Sequence, residues 1–218
     1  MTDPPSAQST PLPSAAAIAA ALEATMPPRP DDTPFDAARR PAAVAVVLFD
    51  AGSAASILLT KRSDDLPSHP GQVSLPGGVL EPEDPTPRDA ALRETEEELG
   101  IPASALRVVG TLPDMDTATS GFVVRPFVAH MVVPVPPVPS DAEVARVMVV
   151  PLSEILAADA RLPERPGRLE LRYPLDGEDV WGATAWILRS LCRALRRALS
   201  APGAEGRGAT PAGAGPDR

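Results

Sequence analysis

The chain is poor in several residue types, and each shortage excludes something. A single cysteine, Cys192, among 218 residues permits no internal disulfide, so a reducing cytoplasm is the expected home. Its apolar, helical surroundings mark it as a small buried hydrophobe and not a nucleophile. Aromatic residues make up only 3% of the sequence, so the core must be built from Val, Leu, Ile and Ala. Lys and Arg number 20 against 29 Asp and Glu, a net charge of −9. That balance excludes a nucleic-acid binder that relies on a basic surface. No apolar run approaches the roughly 20 residues of a membrane span. The N-terminus lacks the basic region and apolar stretch of a signal peptide, so no membrane partner is expected.

Proline is abundant, at 29 residues, well above ordinary usage. Long irregular connections follow from it. The length suits one domain with tails. Residues 1–35 are expected to form a Pro/Ala-rich segment, partly disordered, with a short helix over 14–25 capped by Ser14. Residues 36–200 carry the domain, and the Gly/Ala/Pro-rich residues 201–218 are expected to be a disordered tail. Within the domain, the continuous apolar run 41–50 predicts a strand buried on both faces. A turn and a second strand, 55–62, complete a hairpin. Further strands are expected at 71–75, 106–112, 122–133, 145–150 and 169–173. A short helix capped by Ser153 is expected over 152–158, and an amphipathic one over 183–199. The alternation implies an α/β fold with a mixed sheet between helical layers.

One helix breaks a local rule. Thr86 is its N-cap, Pro87 suits the first position, Asp89 completes a capping box, and Gly100 is the natural stop. Glu94, Glu96, Glu97 and Glu98 therefore crowd the negative end of the macrodipole, each at a cost of roughly 0.3–1 kcal/mol. At about 100° per residue, Glu94, Glu97 and Glu98 share one arc, beside an apolar stripe of Ala91, Leu92, Thr95 and Leu99. Three carboxylates on the edge of a docked helix call for a hard divalent cation, Mg²⁺ or Mn²⁺. The competing reading is a solvated acidic face.

The preceding Gly-rich turn, Leu75-Pro76-Gly77-Gly78, bears on that choice. The stretch 78–101, with Arg93, Glu94, Glu97, Glu98, Gly100 and Ile101 in register, resembles the Nudix box, the signature of hydrolases that cleave a nucleoside diphosphate linked to another group. Thr95 stands at the usually aliphatic position. The loop after Gly78 is one residue longer than the common form, so Asp84 takes the place of the first Glu. Leu58-Leu59-Thr60-Lys61-Arg62-Ser63, His69 and Gly71-Gln72-Val73 are similar to the motif that precedes the box in coenzyme A diphosphatases. Later segments resemble the same subgroup, among them Ser120-Gly121-Phe122, Glu143-Val144-Ala145 and Trp181-Gly182-Ala183-Thr184-Ala185. Pro67 and Leu75 depart from it, where an Arg and a Phe are usual.

The resemblance implies an α/β/α sandwich, a homodimer, and a small nucleoside diphosphate substrate cleaved with metal. For coenzyme A the products would be 4′-phosphopantetheine and adenosine 3′,5′-bisphosphate. A Nudix hydrolase of ADP-ribose, dinucleotides or nucleoside triphosphates is the alternative, and a non-catalytic nucleotide-binding module is a third reading. Glu94 and Glu98 are the leading metal ligands, with the Gly78 carbonyl a further one by resemblance. Glu97 either binds metal or orients water. Arg93, four residues before Glu97, either holds a ligand in place or makes a surface pair. The general base is a box glutamate or Glu143, for which a solvated loop charge is the competing reading. Lys61 and Arg62 could meet phosphates or only solvent. His69 lies in the motif loop. Arg125 interrupts an apolar strand, so it should face a solvent groove, where it could meet substrate, or pair with an acid. Trp181 and Trp186 are expected to pack the last helix, although Trp181 could line a pocket.

Overall fold

The structure, a computed structural model, describes residues 11–30, 33–35, 38–66, 69–117, 121–164, 167 and 171–201. The tails expected to be disordered and the departure at Pro67 therefore lie largely outside the described residues.

The apolar run becomes the central strand β1 (Arg40–Ala51), which pairs antiparallel with β2 (Ala54–Arg62). Gly52, at φ 63°, makes the intervening turn in a conformation open to glycine at no steric cost. On the other side, β1 runs parallel to β7 (Phe122–Met131), with Ala43 opposite Arg125. β3 (Val73–Ser74) and β8 (Val144–Pro151) pair with β2, while β4 (Gly77–Val79) pairs antiparallel with β1. β5 (Leu106–Thr111) and the short β6 (Met115–Asp116) pair with β7. The sheet is thus mixed, as predicted. β7 stops two residues short of the predicted end, because the N–H groups of Val132 and Val133 turn to the Ala105 carbonyl.

The period of two in β1 separates the layers. Val46 and Leu48 face one side and pack with α1 (Ala15–Thr25), α3 (Leu152–Ala160) and α4 (Gly182–Ser200). Ala43, Ala45 and Val47 face the other and pack with α2 (Pro87–Leu99). The result is an α/β/α sandwich with an aliphatic core. α1 belongs to that core: Ile18 and Leu22 are fully buried, and Ser14 caps the helix as expected.

Two element assignments are corrected. Ser153 does not cap α3; Pro151 occupies the cap position and makes no side-chain cap bond. Residues 171 and 172, within the strand expected over 169–173, are not strand; β9 (Tyr173–Leu175) begins at Tyr173 and forms a separate hairpin with β10 (Glu178–Val180). Asp176 and Gly177, both at positive φ, make its turn, an Asp-Gly pair of the kind that favours a two-residue hairpin. Residues 168–170 lie outside the described ones.

Candidate active site

The acidic helix begins as its sequence dictates. The Asp89 N–H donates to Thr86 Oγ1 at 3.2 Å, and that hydroxyl donates to Asp89 Oδ2 at 2.6 Å. Gly100 ends the helix at φ 64°. The carbonyls left over at that end are taken up by the chain before β8. The Val138 N–H donates to Leu99 O at 2.8 Å, and the Ser140 N–H donates to Glu98 O at 2.9 Å. These bonds pin the Pro-rich connection, and with it Glu143, to the end of α2. Thr95, at the usually aliphatic position, is fully buried. It meets its own need by donating to Ala91 O at 2.7 Å.

The three box glutamates do not share one environment. Glu98 is 4% exposed, and its Oε2 has no hydrogen-bond partner. Burial above all, with the negative charges of Glu94 and Glu143, pushes its carboxyl up to about 8. The Arg62 charge and a bond from the Gly77 N–H pull the other way. Glu94 is raised as well, first by burial, while Arg93 opposes the shift. Its carboxylate lies directly over Gly78: a Cβ there would fall 2.4 Å from Glu94 Oε1. A side chain at residue 78 would therefore displace the Glu94 carboxylate. Glu97 has a side chain 58% exposed and turns outward.

Arg93 organises this end of the site. Its Nε and Nη2 donate to the two Asp84 oxygens at 3.0 and 3.1 Å. Its Nη1 donates to Glu94 Oε1 at 3.0 Å and to Glu97 Oε2 at 2.9 Å. The expected i,i+4 pair is present, and Asp84 is the partner that spacing did not reveal. The carboxylate of Asp84 is held below its usual range, chiefly by Arg93, and it also accepts from the Glu81 N–H at 2.8 Å.

The structure separates the four expected substrate contacts. Arg62 faces the site: its Nε is buried without a partner, and its charge is felt at Glu98. Lys61, its neighbour on β2, is turned to β10, where Nζ meets Glu178 Oε1 at 3.0 Å. His69 is exposed at φ 54°. Arg125 is the correction among them. Its side chain is 1% exposed and donates to both Asp114 oxygens at 3.1 and 3.0 Å and to Thr33 O at 2.7 Å. The guanidinium also lies 3.9 Å from the centre of the Phe35 ring. An enclosed, satisfied guanidinium fastens the segment before β1 to the sheet and has nothing left for a ligand.

Leu75 is only 2% exposed and belongs to the core on the α4 side. Its departure from the subgroup pattern is a packing change, not the loss of a site contact.

The fold and site define a class: an acidic helix laid across a mixed sheet, with a buried and a half-buried carboxylate beside a glycine turn. The family model for the Nudix domain matches residues 38–171. Over 165 residues the chain is 36% identical to NudL of Yersinia pestis (strain Pestoides F), an uncharacterized Nudix hydrolase. That match covers 73% of this chain and 81% of NudL, and NudL of Yersinia pseudotuberculosis (strain YPIII) matches equally. The chain belongs to the Nudix family, and it is a pyrophosphohydrolase of that family, whose members act on small nucleotide-derived substrates and generally need divalent metal ions. Two solved structures share the fold at 19% identity and a TM-score of 0.50. One is a C. elegans Ap4A hydrolase, with coverage of 74% of this chain and 98% of that one. The other is the Nudix domain of Shewanella oneidensis NrtR with ADP ribose, at 76% and 91%.

Proposed function

We propose that this chain hydrolyses the diphosphate bridge of coenzyme A and its derivatives, in a reducing cytoplasm, with Mg²⁺ or Mn²⁺. The observation that carries the chemistry is a pair of orphaned atoms. Glu98 Oε2 and Arg62 Nε are the two buried side-chain polar atoms without a partner among the described residues. One is a carboxyl oxygen open to a cation, and the other a guanidinium N–H open to an anionic oxygen. Leaving either unpaired is costly. A metal-bound phosphate satisfies both at once.

The residues fit such an ion. Glu98 and Glu94 offer hard oxygen donors, and the Glu94 carboxylate lies over the Gly78 backbone in the space a side chain there would take. No group of three or more acidic, His or Cys side chains is gathered tightly enough to hold a metal by itself among the described residues. Mg²⁺ is commonly held by one or two carboxylates together with water and substrate phosphates. When bound, the ion neutralises charge on the bridging and leaving oxygens.

The chain's own groups do the rest. Arg62 holds an anionic oxygen of the substrate. The Gly77 N–H fixes one oxygen of Glu98, and Arg93 keeps Glu94 and Glu97 in position. Glu143, whose charge reaches both Glu94 and Glu98, takes a proton from the attacking water. Exposed Glu97 is the second candidate for that role. The coenzyme A assignment rests on the motif over 58–78 and its later landmarks. Other nucleoside diphosphate derivatives satisfy the same two orphaned atoms and form the alternative reading.

The test is mass spectrometry of products after incubation with coenzyme A, ADP-ribose and NADH, each with Mg²⁺, with Mn²⁺ and with EDTA. Adenosine 3′,5′-bisphosphate formed only with metal is the expected result. Metal-dependent AMP from the other two, with coenzyme A intact, would keep the chemistry and discard the substrate. Nucleotide binding with no turnover of any of them would leave the non-catalytic module.

A further inference from the structure

We propose that the exposed indole of Trp181 is the platform on which the planar base of the substrate nucleotide stacks, with the Gln72 carboxamide at the edge of that base. The proposal builds on the reading of the site above.

The chain has two tryptophans, one tyrosine and four phenylalanines, and nearly all are occupied. Phe127 and Tyr173 are buried. Phe35 lies under Arg125 and Phe122 under Arg40. Phe49 and Trp186 are partly buried against the two core layers. Trp181 is the exception, 43% exposed, and no ring or cation contact engages it among the described residues. A large apolar ring left open in so aromatic-poor a protein points to something that covers it.

Its position says what. Trp181 follows β10, whose Glu178 holds Lys61 beside Arg62. The next residue, Gly182, lies against Gln72, whose Nε2 would be 3.7 Å from a Cβ there. The backbone N–H of Arg62 donates to Gln72 O at 3.0 Å. Thr184 Oγ1 donates to Val73 O at 3.2 Å, which fixes the start of α4 against this strand. The Gln72 amide itself has no partner among the described residues. One corner of the fold thus gathers the open indole, a carboxamide without a partner and the strand that carries Arg62, whose guanidinium has an unpaired nitrogen. A nucleoside diphosphate with its base on the indole and the edge of that base at the carboxamide would extend its phosphates toward Arg62 and the carboxylates. An indole stacks on any base and gives no reading of its identity. A carboxamide offers both a donor and an acceptor to the base edge.

The experiment uses the full chain with Mg²⁺ and compares AMP with ribose 5-phosphate, neither of which contains a diphosphate bond to cleave. Binding is followed by calorimetry and by tryptophan fluorescence in the wild type, Trp181→Ala and Trp181→Phe. AMP is expected to bind and quench saturably, and ribose 5-phosphate to bind at least about tenfold more weakly, since stacking contributes about 1–3 kcal/mol. Trp181→Ala should weaken AMP about tenfold or more, and Trp181→Phe should retain most of the affinity while abolishing the quench. Equal affinity for the two ligands, no AMP binding, or unchanged AMP affinity in Trp181→Ala overturns the proposal. Because no hydrolysis is read, the result stands apart from the assay of the proposed reaction. An enzyme that cleaves diphosphates but binds both ligands alike would lose only the platform.

Discussion

Arg93 and Asp84 meet through two parallel bonds, Nε to Oδ1 at 3.0 Å and Nη2 to Oδ2 at 3.1 Å, across nine residues of sequence. Such a two-point pair fixes the plane of the guanidinium. The remaining nitrogen, Nη1, is thereby aimed at Glu94 and Glu97 together. Asp84→Asn should lower kcat about 10- to 100-fold, the usual cost of losing a group that orients a ligand, with the fold intact by circular dichroism. Asp84→Glu, which restores the charge, should recover part of that loss. An unchanged kcat in Asp84→Asn would show that Arg93 does not position the carboxylates.

Glu98 makes the stability of the metal-free protein depend on pH. Its carboxyl is raised from 4.5 to about 8 in the folded state, so the folded protein binds the proton more tightly than the unfolded chain does. The associated stability is fully present below about pH 4.5 and is lost as pH rises through 8. In EDTA, the melting temperature should fall by several degrees between pH 5 and 8.5. Glu98→Gln should flatten that slope and abolish turnover, and saturating Mg²⁺ should reduce it in the wild type. A slope that persists in Glu98→Gln would place the titration elsewhere.

Arg62 should matter more for catalysis than for folding. Its Nε lacks any bond to lose, so Arg62→Ala is expected to change the melting temperature little. Loss of a charged contact to a phosphate oxygen, about 1.5–3 kcal/mol, corresponds to a 10- to 150-fold fall in kcat/KM. Arg62→Lys, a point charge without the planar fork, should recover only part of it. Near-normal kcat/KM in Arg62→Ala would remove Arg62 from the site.

Arg125 should show the opposite pattern. Asp114 keeps its pair with Arg29, but truncating Arg125 empties an enclosed site and removes its bonds to Asp114 and Thr33, a loss of about 2–5 kcal/mol. Arg125→Ala is therefore expected to lower the melting temperature by about 10 °C, readable by calorimetry. Protein that remains folded should keep its KM. A raised KM with unchanged stability would return Arg125 to the substrate.

Cys192 should be silent in the native state. It is fully buried, and burial with the nearby Asp159 carboxylate pushes its thiol up to about 12. At pH 8 it is expected to resist an aromatic disulfide reagent and to release one equivalent on denaturation. Rapid reaction of the native protein would mean that α4 opens locally.

The linear pattern of residues was sufficient for most of the elements, though not for the β9–β10 hairpin, and for the carboxylate-rich character of the site. Thr86, Pro87 and Gly100 bound α2 through bonds made within a few residues, and the run 41–50 could only be a doubly buried strand. The carboxylate arc and the glycine turn were legible for the same reason: a helix repeats every 3.6 residues whatever it packs against. Which glutamate faces inward was decided only by docking. With Ala91, Thr95 and Leu99 on the sheet, Glu98 falls beside them, and Glu97, about 100° away, falls outside. The partner of Arg93, the enclosure of Arg125 and the open face of Trp181 depend on segments far apart in the chain. Periodicity says nothing about those; they exist only once the sheet has brought the segments together.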